Sequence, residues 1–178
     1  MPKLFRFCPI LFFLLIFSCV ERTVVIERPS PAPTPPTEAK NDGQTAASEK
    51  HFTNGKKFYN QGKYPKALQE LNKSVEADPQ NREAYYYLGL CYQKLDYYKE
   101  SVPEFRRSLE KSNADNLFLS RVRFSLAFSL EKIGALEESE AQYQLAYSLD
   151  TSNQAAFKGI QRVKEKSGKQ SRIKIKEE

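Results

Sequence analysis

The sequence predicts an all-α fold: three helical hairpins stacked side by side, closed by a C-terminal capping helix. Three observations carry this expectation. Two segments, His51-Phe-Thr-Asn-Gly-Lys-Lys-Phe-Tyr59 and Tyr85-Tyr-Tyr-Leu-Gly-Leu-Cys-Tyr-Gln93, align at an offset of 34 residues, and self-similarity at such a period marks a helical array. The 178-residue chain holds 12 Phe and 10 Tyr but no Trp and only 7 Gly, which suits a helical body with an aromatic core. After Asn153 a last amphipathic stretch confines Phe157, Ile160 and Val163 to one narrow face, so it can pack on one side only.

Taken in chain order, residues 1–18 read as an export signal. Lys3 and Arg6 form a basic start, and Pro9 to Phe17 is a short apolar run. A bilayer span needs about 20 apolar residues, more than this run offers. Ile16-Phe17-Ser18-Cys19 resembles a bacterial lipobox, with an aliphatic residue at −3, a small one at −1 and cysteine as the first mature residue; Phe17 departs from the usual small residue at −2. The resemblance implies that the Cys19 thiol carries a diacylglycerol, and two or more acyl chains anchor a protein stably. Val20 is not Asp, so the enteric inner-membrane retention signal is absent. The expected place is the bacterial cell envelope, at the outer membrane and facing the periplasm. Residues 19–47 follow as a linker in which Pro29-Ser-Pro-Ala-Pro-Thr-Pro-Pro36 favours an extended chain and forbids a packed core.

Each aligned segment precedes a turn with Tyr (Tyr64, Tyr98) and a second apolar helix, and the first unit closes with Ala77-Asp78-Pro79-Gln-Asn81. These features resemble the tetratricopeptide repeat, a 34-residue pair of antiparallel helices that stacks into a right-handed superhelix. The resemblance gives repeats over 48–81, 82–115 and 116–153, with the register of the third starting at Ser120 and residues 116–119 lengthening its first helix. It also dictates small residues where the paired helices approach. The chain supplies Gly55, Ala67 and Ser74, then Gly89, Ser101 and Ser108, then Ala127, Ser139 and Ala146. Large partners fill the complementary places: Phe58, Tyr92 and Leu130, and Leu71, Phe105 and Tyr143. The first helix departs most, with Asn54 where leucine is usual, as suits a terminal unit with one face toward solvent. Pro65 fits a helix start, whereas Pro103 is expected to delay or kink its helix. A capping helix is expected over 154–167, where Gln161 stands in place of a small residue, and a disordered basic tail over 168–178.

The formal charge is +6, but the excess lies in the leader and the tail, and the repeats are nearly neutral. A basic stripe on the folded surface, the footprint of a nucleic-acid domain, is therefore not expected. Nor is catalysis, a cofactor or a small-molecule substrate. His51 is the sole histidine and leaves a metal site or His-based triad without a second imidazole. Cys91 reads as a buried inert thiol and His51 as partly buried packing. Glu137, Glu138 and Glu140 suit a helix start.

The resemblance points instead to the inner face of the first helices, where partner segments lie in the repeat family. The matching positions hold Phe52, Lys56 and Tyr59, then Tyr86, Leu90 and Lys94, then Arg121, Phe124 and Phe128, with Lys132 beside them. So many apolar groups on one face suggest an interface. Repeats that clamp the C-terminal carboxylate of chaperones need Lys, Asn, Asn, Lys and Arg at places occupied here by Phe52, Lys56, Tyr87, Arg121 and Ser125, and only Arg121 is basic as required. The expected role is a lipid-anchored scaffold that takes an extended or helical segment of another envelope protein. The alternative is a structural tether whose basic tail contacts cell wall or anionic lipid.

Overall fold

The computed structural model describes residues 42–111 and 115–177. The export signal, Cys19 and most of the linker lie outside the described residues. Among the described residues seven helices follow one another: α1 (Asp42–Asn60), α2 (Tyr64–Ala77), α3 (Arg82–Lys94), α4 (Tyr98–Glu110), α5 (Asn116–Lys132), α6 (Leu136–Leu149) and α7 (Gln154–Glu177). α1 with α2, α3 with α4 and α5 with α6 are hairpins, and each packs against the next element in the chain.

The turns inside the hairpins follow from backbone chemistry. Gly62 at φ +72° and Gly134 at φ +83° occupy the left-handed region that glycine enters without strain, and Asp96 takes the equivalent place at φ +63°. Between hairpins the caps do more. Asn81 accepts a hydrogen bond from the Ala84 amide and so caps α3, while its Nδ2 donates to Ser74 Oγ and Ser48 Oγ in the hairpin before. Asn153 repeats the arrangement, capping α7 and donating to Ser120 Oγ. One side chain thus satisfies orphan helix donors and fastens the seam between two hairpins.

Close approach of the paired helices depends on the small residues. A Cβ built on Gly55 would lie 2.6 Å from Leu71 Cγ, and one on Gly89 would lie 2.5 Å from the Phe105 ring. Gly159 receives the Tyr143 ring in the same way, a contact that joins α7 to α6. Ser139 donates to the Ala127 carbonyl and Ser108 to that of Arg82, so these serines fill narrow places without leaving a hydroxyl unpaired. The core follows the stack as three successive clusters, one with Leu71 and Leu88, one with Phe105 and Leu126, and one with Tyr143 and Val163.

Three expectations need correction. α1 begins at Asp42, inside the stretch assigned to the linker, because the polar run after Lys40 holds no proline to stop a helix. α4 begins at Tyr98, so Pro103 sits within the helix rather than delaying it; the residue whose carbonyl loses its partner, Lys99, is exposed to water. α7 continues to Glu177, through the residues assigned to a disordered tail. Beyond Gly168 that segment has neither Gly nor Pro, and Lys, Gln, Arg and Glu are good helix formers.

Candidate functional site

The inner wall of the stack is identified by which helices touch. α1 approaches α3, α3 approaches α5 and α5 approaches α7 backbone to backbone, whereas α2, α4 and α6 stand further apart, with α4 and α6 bridged by the long side chains of Arg106 and Glu138. In a curved stack the layer that closes up is the concave one, so α1, α3, α5 and α7 line the groove.

On that wall the nine candidate residues do not behave alike. Phe52 is only 5 % exposed. Its ring meets Tyr87 edge-on at 5.8 Å, and the Lys56 ammonium covers it 4.8 Å from the centroid. Phe52 is therefore core rather than open groove, because the second tyrosine of Tyr86-Tyr87 turns onto it. Tyr59, Tyr86, Leu90, Phe124 and Phe128 are half-buried, and Lys94 and Arg121 are exposed. Burial pushes the Tyr59 hydroxyl up to about 12. Of the half-buried apolar side chains, Tyr59 packs on the N-terminal part of the core, Tyr86 and Leu90 on the middle and Phe124 and Phe128 on the C-terminal third.

Phe118 is a groove-side residue that the repeat register does not identify. It lies on the turn added by residues 116–119, is 5 % exposed, and meets Tyr86 at 5.6 Å. Arg82 and Arg121 stand 5.0 and 5.8 Å from its centroid. The inserted turn thus folds an extra aromatic ring against the groove and holds a cation on each of two helices over it. Two large apolar residues beside Phe118, Leu117 and Leu119, were the available signal.

Position-matched residues after Tyr59 serve the seams. Gln93 donates to the Ser125 carbonyl and to Ser129 Oγ, both at 2.7 Å, and Ser129 Oγ lies 2.6 Å from Ser101 Oγ. Glu131 accepts from Arg162 at 2.7 and 2.6 Å, from Lys166, and from the Tyr143 hydroxyl at 3.1 Å. Burial alone would raise the Glu131 pKa, but the hydrogen bonds from Arg162 and Lys166 outweigh it and hold the carboxyl at about 2. Both Arg162 and Lys166 belong to the stretch expected as a capping helix, 154–167. Continuing the 34-residue register past Phe128 and Lys132 places them on the groove instead.

At the N-terminal corner a hollow of about 850 Å³ is lined by both signs of charge, Glu49, Asp78 and Glu83 with Lys56, Arg82 and Lys111. On the hairpin's other edge, His51 Nδ1 lies 2.9 Å from Glu70 Oε2, and Lys73 also pairs with that carboxylate. Donation from Lys73 and His51 holds Glu70 at about 2 despite its desolvation. Cys91 is fully buried, and burial pushes its thiol up to about 12; a thiol so protonated is a poor nucleophile. Among the described residues no cluster of His, Cys, Asp and Glu could hold a metal ion, and no helix is long and apolar enough to cross a membrane.

Comparison with known proteins agrees with this geometry. Residues 55–96 match a profile described as TPR repeat, and residues 83–113 one described as tetratricopeptide repeat. The Hsp70-Hsp90 organizing protein of Triticum aestivum is 27% identical over 124 residues, 70% of this chain and 21% of the relative. DnaJ homolog subfamily C member 3 of Mus musculus is 28% identical over 117 residues, 66% of this chain and 22% of the relative. The chain thus spans about a fifth of the length of these relatives. Among solved structures, the first TPR of Spaghetti (RPAP3) bound to the HSP90 peptide SRMEEVD superposes with a TM-score of 0.65 at 17% identity, covering 70% of this chain and 95% of that one. The Yersinia enterocolitica type III secretion chaperone SycD, in complex with a peptide of the translocator YopD, gives 0.63 at 19%, covering 71% and 99%. MamA gives 0.63 at 21%, covering 68% of each chain. Residues 55–113 are tetratricopeptide repeats, and the described helices form an all-α tetratricopeptide superhelix.

Proposed function

We propose that this chain is a lipid-anchored interaction scaffold of the bacterial cell envelope, binding an extended or helical segment of another envelope protein along its concave groove. One observation carries the reading: Tyr86, Leu90, Phe124 and Phe128 remain half-buried on one wall after the core is complete. Aromatic side chains left part-exposed on a rigid wall supply contact area at little entropic cost, which is where binding energy concentrates. Structurally similar domains bind peptides of HSP90 and of YopD, which supports a segment rather than a small molecule as the ligand. The anchor rests on the lipobox-like Ile16-Phe17-Ser18-Cys19 and on the proline-rich stretch that would hold the repeats away from the lipid.

Site-specific photo-crosslinking tests the groove. A photoreactive residue at Leu90 should capture a discrete envelope protein in intact cells, and one at exposed Lys66 on α2 should not. Capture at Lys66 alone would remove the groove from the account. Fatty-acid labelling tests the anchor: incorporation should be lost in Cys19→Ser, and equal labelling of the two proteins would refute it.

A further inference from the structure

We propose that the segment bound in the groove is acidic, and that it lies extended with its carboxylates on the cations of α3 and α5. This rests on the groove reading and names the chemistry of its ligand. Lys94 is the last residue of α3 and Lys132 the last of α5. They are equivalent positions, one repeat plus the four inserted residues apart, and Lys166 follows Lys132 by 34. The C-terminal ends of α3 and α5 therefore each present a lysine, whereas α1 ends on Asn60 and Lys166 stands within α7, paired with Glu131.

A lysine at a helix C-terminus also suits the helix dipole, so position alone decides little. The surroundings decide it. Lys94 and Lys132 are exposed, and neither pairs with a carboxylate among the described residues. Lys132 is held over the Phe128 and Tyr98 rings, at 5.3 and 5.7 Å. Glu131, the carboxylate nearest to it in sequence, is turned into α7 and neutralised there by Arg162 and Lys166. Across the aromatic strip, Arg82 and Arg121 flank Phe118. Cations thus border the half-buried rings on both sides. The acidic residues Glu49 and Glu83 keep to the N-terminal corner, beside Lys56 and Arg82.

Spacing sets the form of the ligand. Packed helices lie about 8–10 Å apart, and a polyproline-II chain advances about 3.1 Å per residue with three residues per turn. A carboxylate at every third residue would meet successive lysines, while the residues between reach the rings. A flat anionic bilayer cannot follow a concave wall, so the geometry favours a peptide over lipid.

The test uses the full chain and three fluorescent twelve-residue peptides, carrying Glu, Gln or Lys at every third position with Leu and Ala between, read by anisotropy at low and high salt. The Glu peptide should bind at least tenfold more tightly than the other two, and salt should weaken it. Lys94→Glu with Lys132→Glu should cost at least tenfold, and Lys94→Gln with Lys132→Gln should fall between, with unchanged melting temperatures. Lys66→Glu with Lys99→Glu, on the outer helices, should change nothing. Equal binding of the Gln peptide, still weakened by Leu90→Ser, would overturn the acidic ligand and leave the groove reading standing. Absence of any binding by the Glu peptide would overturn the proposal, with the groove itself then judged by the crosslinking above. Binding to phosphatidylglycerol vesicles that the same lysine reversals abolish and the Glu peptide does not displace would also overturn it.

Discussion

Gly89→Ala is a single added methyl group whose effect can be worked from contact distances. The new Cβ would lie 2.5, 2.7 and 2.7 Å from three atoms of the Phe105 ring, and that ring is fully buried. Neither side can yield cheaply. Phe105 also packs on Tyr86, with ring centroids 6.0 Å apart, so turning it away disturbs the groove wall. Overpacking of this kind costs about 1–3 kcal/mol, and three contacts this short argue for the upper part of that range. Alanine returns about 1 kcal/mol of helix propensity relative to glycine. The net is a loss of about 2 kcal/mol, or roughly 4–8 °C in melting temperature for a chain of this size. Thermal unfolding by circular dichroism measures it, with Gly168→Ala as the opposite control. That glycine has nothing within 4 Å of its Cβ position, so the same substitution should hold or raise stability there. The double variant Gly89→Ala, Phe105→Leu should recover part of the loss, with a coupling of at least about 0.5 kcal/mol. A Gly89→Ala protein melting at or above the wild-type temperature would refute the close-approach argument for the hairpins.

Two further outcomes follow from the seams. Glu131 has a folded pKa of about 2 against an ordinary 4.5, so its stabilising contribution is complete above pH 4.5 and fades as pH falls toward 2. The shift corresponds to a contribution on the order of 3 kcal/mol; Glu131→Gln should lower the melting temperature at pH 7 and flatten its decline on acidification, although Glu70, titrating in the same window, keeps some of that decline. Asn81→Ala removes the α3 cap and two hydrogen bonds to buried serines at once. It should cost about 2 kcal/mol, the top of the range for a cap alone. Asp115→Ala, whose carboxylate caps only the Leu117 amide, should cost less by denaturant unfolding.

The small residues and their large partners made the hairpins legible, because close packing leaves few residue types acceptable at Gly55, Gly89 or Ala127. The groove was legible only in part. The register places its apolar residues on the inner wall but does not say which stay open, since burial of Phe52 depends on where the Tyr87 ring turns, and that is decided by tertiary packing. Charge was obscured by summation. The third hairpin looks balanced in sequence, yet Arg121 and Lys132 stand on α5 while Glu137, Glu138 and Glu140 stand on α6, so the two layers differ in sign. Phe118 was missed because an insertion breaks the register that identified everything else, and the cations of α7 because the register was stopped one unit early.

The inserted turn has a mechanical consequence. The seams before α3 and α7 are laced by Asn81 and Asn153, but the longer α5 carries its cap, Asp115, one turn away from the preceding hairpin. That middle seam is laced instead by Gln93, Ser101 and Ser129, toward the other ends of the inner helices. At the other end of the same joint the closure is aromatic, with the Phe118 ring of α5 against Tyr86 and beneath Arg82 of α3. Among the described residues the middle joint is thus held by polar laces at one end and by ring packing at the other, and the ring-packed end is the one that opens onto the groove.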